Sequence, residues 1–186
     1  MVLTERYDKA LLYASQLHRT QMRKGEAGIP YLSHLLAVSS LVLEHGGDED
    51  EAIGGLLHDA VEDQGGQATL DEIRGMFGDK VADIVDGCSD SHGEPRPPWK
   101  ERKEDYIASI ATKDDSTVLV SACDKLHNAR SILSDLQKVG EQVYERFSVS
   151  KQNTIWYYRS LSDAFKARGD WALFDELDRV VKEIET

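Results

Sequence analysis

Apolar residues recur three and four positions apart along almost all of this chain, and that spacing leaves little alternative to helices packed on helices. Tyr7, Ala10, Leu11, Ala14 and Leu17 form one stripe, with Thr4 placed to cap it. A second helix is predicted from about Leu32 to Glu44, stopped by Gly46-Gly47. A third runs from about Asp48 to Asp63 with Ile53, Leu56, Leu57 and Val61 on its apolar face, and Gln64-Gly65-Gly66 ends it. Thr69 and Glu72 resemble a capping box opening a short helix, and Gly78 separates that from a helix carrying Val81, Ile84 and Val85. Ser91 to Pro98 reads as a loop, and a helix follows from about Trp99 to Ala111. The segment with Val118, Leu119, Val120, Ala122, Leu126, Ala129, Ile132, Leu133 and Leu136 starts with β-branched residues. Its length and later periodicity predict a buried helix rather than a strand. Helical stretches at about Ser150–Ala167 and Trp171–Ile184 complete the pattern. No period-two alternation lasts long enough for a sheet, so the expectation is an all-α fold, one domain over residues 1–186.

Net charge narrows the partners. At −12, the chain lacks the broad basic surface that nucleic-acid binding needs. No apolar run approaches the length of a membrane span, and the first residues lack a signal peptide's basic start and apolar stretch. Cys88 and Cys123 fit no CxxC or disulfide framework and read as core residues, so a cytoplasmic protein is expected. The cations cluster: Arg19, Arg23 and Lys24; then Arg96, Lys100, Arg102 and Lys103; then Lys125 and Arg130. Local basic clusters in an acidic chain suit a small polyanion. On spacing alone, Arg102 and Lys103 equally pair with Glu101, Glu104 and Asp105 on a solvated helix face.

The chemistry concentrates in four residues at three places: His34, the adjacent pair His58-Asp59, and Asp124. His58-Asp59 lies inside the apolar run Gly55-Leu56-Leu57-His58-Asp59-Ala60-Val61, where a charged pair is costly to bury without a partner. A divalent metal ion is such a partner, since imidazole nitrogen and carboxylate oxygen are its ordinary ligands. On one continuous helix, His58 and Asp59 would diverge by about 100°. Both reach one ion only if it sits over the ridge between them. His34 would arrive from the second helix and Asp124 from the long buried one. Glu62 and Asp63, spare acids beside the pair, point to hydrolysis rather than a structural ion.

The wider text resembles a known family. His34, His58-Asp59 and a distant Asp124 match the H…HD…D signature of the HD-domain metal-dependent phosphohydrolases. His18-x-x-Gln21-x-Arg23-Lys24, Pro30-Tyr31-x-x-His34, His58-Asp59-x-x-Glu62-Asp63, Phe77-Gly78 and Asp124-Lys125-Leu126-His127-Asn128-x-Arg130 resemble the RelA/SpoT-type alarmone hydrolases. The likeness spans Tyr7 to Arg130, and Leu35 stands where a proline often follows the first ligand histidine. The resemblance implies an HD-type bundle of about eight to ten helices. It implies one Mn²⁺ ion on His34, His58, Asp59 and Asp124, and removal of the 3′-pyrophosphate of (p)ppGpp to leave GDP or GTP. Glu62 and Asp63 would then orient or deprotonate the attacking water. Arg102 and Lys103 would neutralise leaving-group charge, and Arg23, Lys24, Asn128 and Arg130 would contact the nucleotide. The length is that of a stand-alone hydrolase, without synthetase or regulatory domains. His127 reads as packing ahead of a support for the ligand residues, and Trp156-Tyr157-Tyr158 as helix core. Two rivals remain: an HD phosphohydrolase for another nucleotide, such as a nucleoside monophosphate or NADPH, and a non-catalytic alarmone binder.

Overall fold

The computed structural model describes residues 2–24, 28–90 and 97–186. The expected loops are therefore only partly in view: residues 25–27 and 91–96, including Arg96, lie outside the described residues. In order come α1 (Glu5–Leu17), α2 (Leu32–Glu44), α3 (Glu49–Leu57), α4 (Ala60–Gln64), α5 (Gly66–Phe77) and α6 (Asp79–Cys88). Then follow α7 (Trp99–Ser109), α8 (Asp115–Val139), a 3₁₀ helix (Gly140–Arg146), α9 (Lys151–Lys166) and α10 (Ala172–Glu185). Among the described residues there is no strand, only an isolated bridge between Met22 and Pro30. The described residues form an all-α helical bundle. No described helix is long and apolar enough to cross a membrane.

Side-chain caps start several helices, as short polar residues at these positions should. The Thr4 hydroxyl accepts from the Arg6 N–H, Asp114 from Thr117, and Ser150 from Asn153. At α3, Asp48 and Glu51 form a reciprocal capping box. Two expectations need correction. The helix predicted over 48–63 is broken at His58-Asp59, because the His58 ring bonds back to the Gly55 carbonyl and Asp59 takes φ −97°, ψ −1°. The Thr69 capping box does not form. Gly65 and Gly66, at φ +145° and +61°, turn the chain earlier and start α5 at Gly66. Thr69 thus lies inside the helix, with its hydroxyl donating to the Gln64 carbonyl.

α8 is the central rod, packing against α2, α3, α6, α9 and α10. One apolar cluster surrounds it, with Val118, Ala122, Leu126, Leu161, Phe165 and Leu177 fully buried. A second joins α1, α3, α5 and α6 through Ala10, Ile53, Leu57, Ile73 and Val81. α2 and α3 approach closely because Gly55 has no side chain. A Cβ there would lie 3.0 Å from the Ser39 Cα and 3.2 Å from its nitrogen. The Ser39 hydroxyl donates to the Ala52 carbonyl across the same contact at 2.9 Å. This seam sets the spacing between His34 on α2 and His58 at the end of α3.

Candidate active site

His34 leaves the first turn of α2, His58 and Asp59 occupy the break between α3 and α4, and Asp124 lies midway along α8. Their functional atoms converge. His58 Nε2 lies 2.9 Å from Asp59 Oδ2 and 3.5 Å from Asp124 Oδ1. His34 Nε2 lies 3.1 Å from Asp124 Oδ1 and 3.6 Å from Asp59 Oδ2. The ligand atoms of His34, His58 and Asp59 fall within 4.8 Å of one another. Both Nε2 atoms are buried without a hydrogen-bond partner. Two orphaned lone pairs facing two carboxylates fit a divalent cation, whose charge would offset both acids.

The electrostatics agree. Burial opposes a charged His58, but Asp59 and Asp124 outweigh it and hold its pKa well above the usual imidazole value. Burial likewise opposes ionised Asp59, yet His58 and His34 carry it well below the usual carboxylate range. Asp124 behaves in the same way under Lys125 and His58. The site thus holds two fixed anions that draw positive charge toward the imidazoles.

The outer atoms of each ligand are already engaged. His58 Nδ1 lies 2.9 Å from the Gly55 carbonyl, which can only accept, so Nδ1 carries a proton and Nε2 is the nitrogen that would offer a lone pair to a cation. His34 Nδ1 lies 2.7 Å from His127 Nδ1. Burial, then the neighbouring His34 and Arg23, push the His127 pKa down to about 4, so that ring is neutral near pH 7 and able to accept from His34. The Tyr31 hydroxyl donates to Asp59, and the Asn128 amide and Lys125 ammonium donate to Asp124. Of the two readings of His127, packing or support of a ligand, its contact with His34 Nδ1 favours the second. The available signal was its position three residues beyond Asp124, on nearly the same face of α8.

Beside these residues opens a cavity of about 330 Å³. Asp59, Glu62, Asp63 and Asp124 line it together with Arg23, Lys24, Lys103, Lys125 and Arg146. Burial, then Asp90 and Asp59, raise the Glu62 pKa; burial and Asp59 raise that of Asp63, which accepts from Gln21 Nε2 at 2.6 Å. Two acids that hold a proton more tightly than usual thus sit beside the ligand cluster. Trp99, Phe147, Tyr157 and Tyr158 supply aromatic wall.

The structure separates the expected substrate residues. Arg23, Lys24, Lys103 and Asn128 line the cavity. Asn128 has both ends of its amide engaged, donating to Asp124 and accepting from Arg23 NH2 at 2.9 Å, so it ties the ligand carboxylate to the guanidinium. Arg102 does not line the cavity. Its guanidinium closes on Asp90 at 2.6 Å and on the Pro97 carbonyl, and Lys103 meets the same carboxylate at 2.6 Å. Among the described residues the acid that both cations meet is therefore Asp90, not the acids on their own helix. Arg130 pairs with Glu176 of α10 and faces a neighbouring cleft. Tyr157 and Tyr158 are core residues, as expected, and also wall. Gln21, Tyr31 and Arg146 were given no role from sequence, and Lys125, one of the clustered cations, pairs with Asp124. Arg146 lies on the unforeseen 3₁₀ helix, which no spacing announced.

The sequence pattern of the HD domain family matches residues 10–154. The chain belongs to the HD-domain family. That family implies a divalent-metal-dependent hydrolase, and a His-His-Asp cluster is present. Over 122 residues this HD-domain protein is 33% identical to guanosine-3′,5′-bis(diphosphate) 3′-pyrophosphohydrolase MESH1 of Mus musculus, covering 64% of this chain and 65% of that one. It is 32% identical over 127 residues to a probable enzyme of the same description from Synechocystis sp., covering 67% of this chain and 16% of the relative. Against a GTP pyrophosphokinase of Myxococcus xanthus, identity is 34% over 161 residues, covering 83% of this chain and 20% of the relative. The chain therefore spans only a small part of the bacterial relatives and about two thirds of the mouse one. A solved structure of a metazoan ortholog of SpoT that hydrolyses ppGpp superposes with a TM-score of 0.80 at 25% identity, covering 98% of this chain and 97% of that one.

Proposed function

We propose that this chain is a single HD-type hydrolase domain that removes the 3′-pyrophosphate of (p)ppGpp, yielding GDP or GTP and pyrophosphate, with Mn²⁺ as its ion. The observation that carries the reading is the pair of orphaned imidazole nitrogens facing Asp59 and Asp124, with Glu62 and Asp63 lining the adjoining cavity and cations opposite them. His34, His58, Asp59 and Asp124 would hold the ion. When bound, a divalent cation polarises a phosphoryl oxygen and makes water more acidic.

The chain's own residues account for the rest. Glu62, basic for a carboxylate because it is buried beside other acids, takes the proton of the attacking water. Asp63, fixed by Gln21, orients that water. The water oxygen bonds to the phosphorus next to the ribose 3′-oxygen as the P–O3′ bond breaks, and the 3′-oxygen then takes up a proton. Lys103 and Arg23, on the cavity wall, offset the charge of the departing pyrophosphate. Lys24 and the aromatic wall face the nucleoside. A small nucleotide in a cavity of this size and a net charge of −12 suit a cytoplasmic enzyme with no nucleic-acid or membrane partner.

The test is incubation of Mn²⁺-loaded protein with ppGpp, NADPH and nucleoside monophosphates, with products separated by chromatography. GDP and intact pyrophosphate from ppGpp are expected. Orthophosphate released from NADPH or a monophosphate, with ppGpp untouched, would overturn the substrate. Binding of ppGpp without turnover would overturn the enzyme.

A further inference from the structure

Beyond the cavity lies a second cleft of about 390 Å³, separated from it by shared residues. Arg23, Lys24 and Arg146 line both. Arg130 and Lys138 line only the second, and among the described residues Asp135 is the one carboxylate on its wall. Five cations against one acid among the described lining residues is a local reversal in a chain of net charge −12. Asp135 pairs with Arg146 and, at 3.5 Å, with Lys138. These pairs position the two cations, Glu176 pairs with Arg130 from outside the lining, and the described lining keeps an excess of cations over acids. Ser131 and Ser134 add hydroxyl donors. Forked guanidiniums with hydroxyls between them suit phosphate oxygens.

α8 connects the two spaces. Asp124 and Asn128 face the first, while Ser131, Ser134 and Lys138 continue down the rod at three-and-four spacing into the second. At 1.5 Å per residue, Arg130 lies about 9 Å along the axis from Asp124, and Ser134 about 15 Å. A nucleoside phosphorylated at both the 3′ and 5′ positions sends two anionic arms in diverging directions. We propose that the second cleft takes the 5′-phosphate chain of the same nucleotide whose 3′-diphosphate lies beside Asp124, so that it selects substrates by 5′-phosphorylation. The proposal rests on the alarmone-hydrolase reading above.

The test uses three guanosine 3′-diphosphates that carry a hydroxyl, a diphosphate or a triphosphate at the 5′ position. In the wild type, KM should fall as the chain lengthens, by about tenfold or more from end to end, the scale of a charge-assisted phosphate contact. In Lys138→Ala and Ser134→Glu, both at exposed positions on α8, that ratio should move toward unity. Lys138→Arg should restore it. A flat ladder in the wild type, or an undiminished one in both variants, overturns the proposal. Inorganic tripolyphosphate should compete with the 5′-triphosphate compound; binding alongside it would assign the cleft to a separate anion and also overturn the proposal. Absence of any turnover would remove the hydrolase reading instead. Calorimetric Kd values for the same three ligands then decide the cleft, graded values supporting it and equal values overturning it.

Discussion

His127→Ala removes the group that His34 Nδ1 faces at 2.7 Å. His34 is fully buried, so no solvent replaces that partner. If His34 Nε2 ligates the ion, the ring's one proton is on Nδ1, and the variant leaves a buried N–H unpaired. Such a loss costs about 1 to 3 kcal/mol, and support of this kind typically accounts for about 10- to 100-fold in metal affinity. The two scales agree, since 100-fold corresponds to about 2.7 kcal/mol. Calorimetric titration of the metal-free variant with Mn²⁺ should therefore show a Kd raised by one to two orders of magnitude. His127→Gln, whose amide oxygen can accept the same proton, should recover most of the loss. Urea unfolding run in parallel separates a weakened site from a weakened fold. A normally folded His127→Ala protein with wild-type Mn²⁺ affinity would refute the assignment of the His34 tautomer, and with it the role of Nε2.

Four further outcomes are expected. Glu62→Gln should lower kcat by about 10²- to 10⁴-fold while nucleotide and metal binding persist; wild-type turnover would remove Glu62 from the proton transfer. Gly55→Ala should destabilise by about 1 to 3 kcal/mol despite alanine's better helix propensity, because the added Cβ meets Ser39 backbone at 3.0 Å, and it should weaken metal binding by parting His34 from His58. Unchanged urea midpoint and Mn²⁺ affinity would count against the close seam. Burial pushes the Lys113 pKa down to about 8, below the 10.5 of the unfolded chain. Between these values the unfolded state binds more protons, so stability should rise with pH across that window, and Lys113→Met should stabilise at pH 7 by up to about 3 kcal/mol. A flat profile together with no gain would refute this. Lys103→Ala should raise the nucleotide KM by about tenfold, with Arg102→Ala well below that, since only Lys103 lines the cavity. Equal effects would contradict the geometry.

Much of the fold was legible because helix formation here is local. Three-and-four spacing, caps at Thr4 and short glycine punctuation need no distant information. The elements that escaped are those set by side chains or glycines at a single place. His58 folds back on Gly55 and breaks a helix that the apolar pattern alone would continue. Gly65-Gly66 starts α5 before the capping box at Thr69 can form. The 3₁₀ helix starts at Gly140, at φ +63°, and carries no periodic stripe of its own.

At the site, residue type alone pointed to His34, His58, Asp59 and Asp124, since imidazoles and carboxylates in apolar text need a common partner wherever the chain puts them. The candidate acids Glu62 and Asp63 followed from adjacency. What residue type could not determine was company. Arg102 and Lys103 share Asp90, Asn128 joins Asp124 to Arg23, and His127 backs His34, because packing brings residues of separate elements together across gaps the chain does not count. Periodicity sets which face of a helix is apolar. Only packing sets which neighbour that face meets, and so which cation faces a cavity and which is closed on an acid.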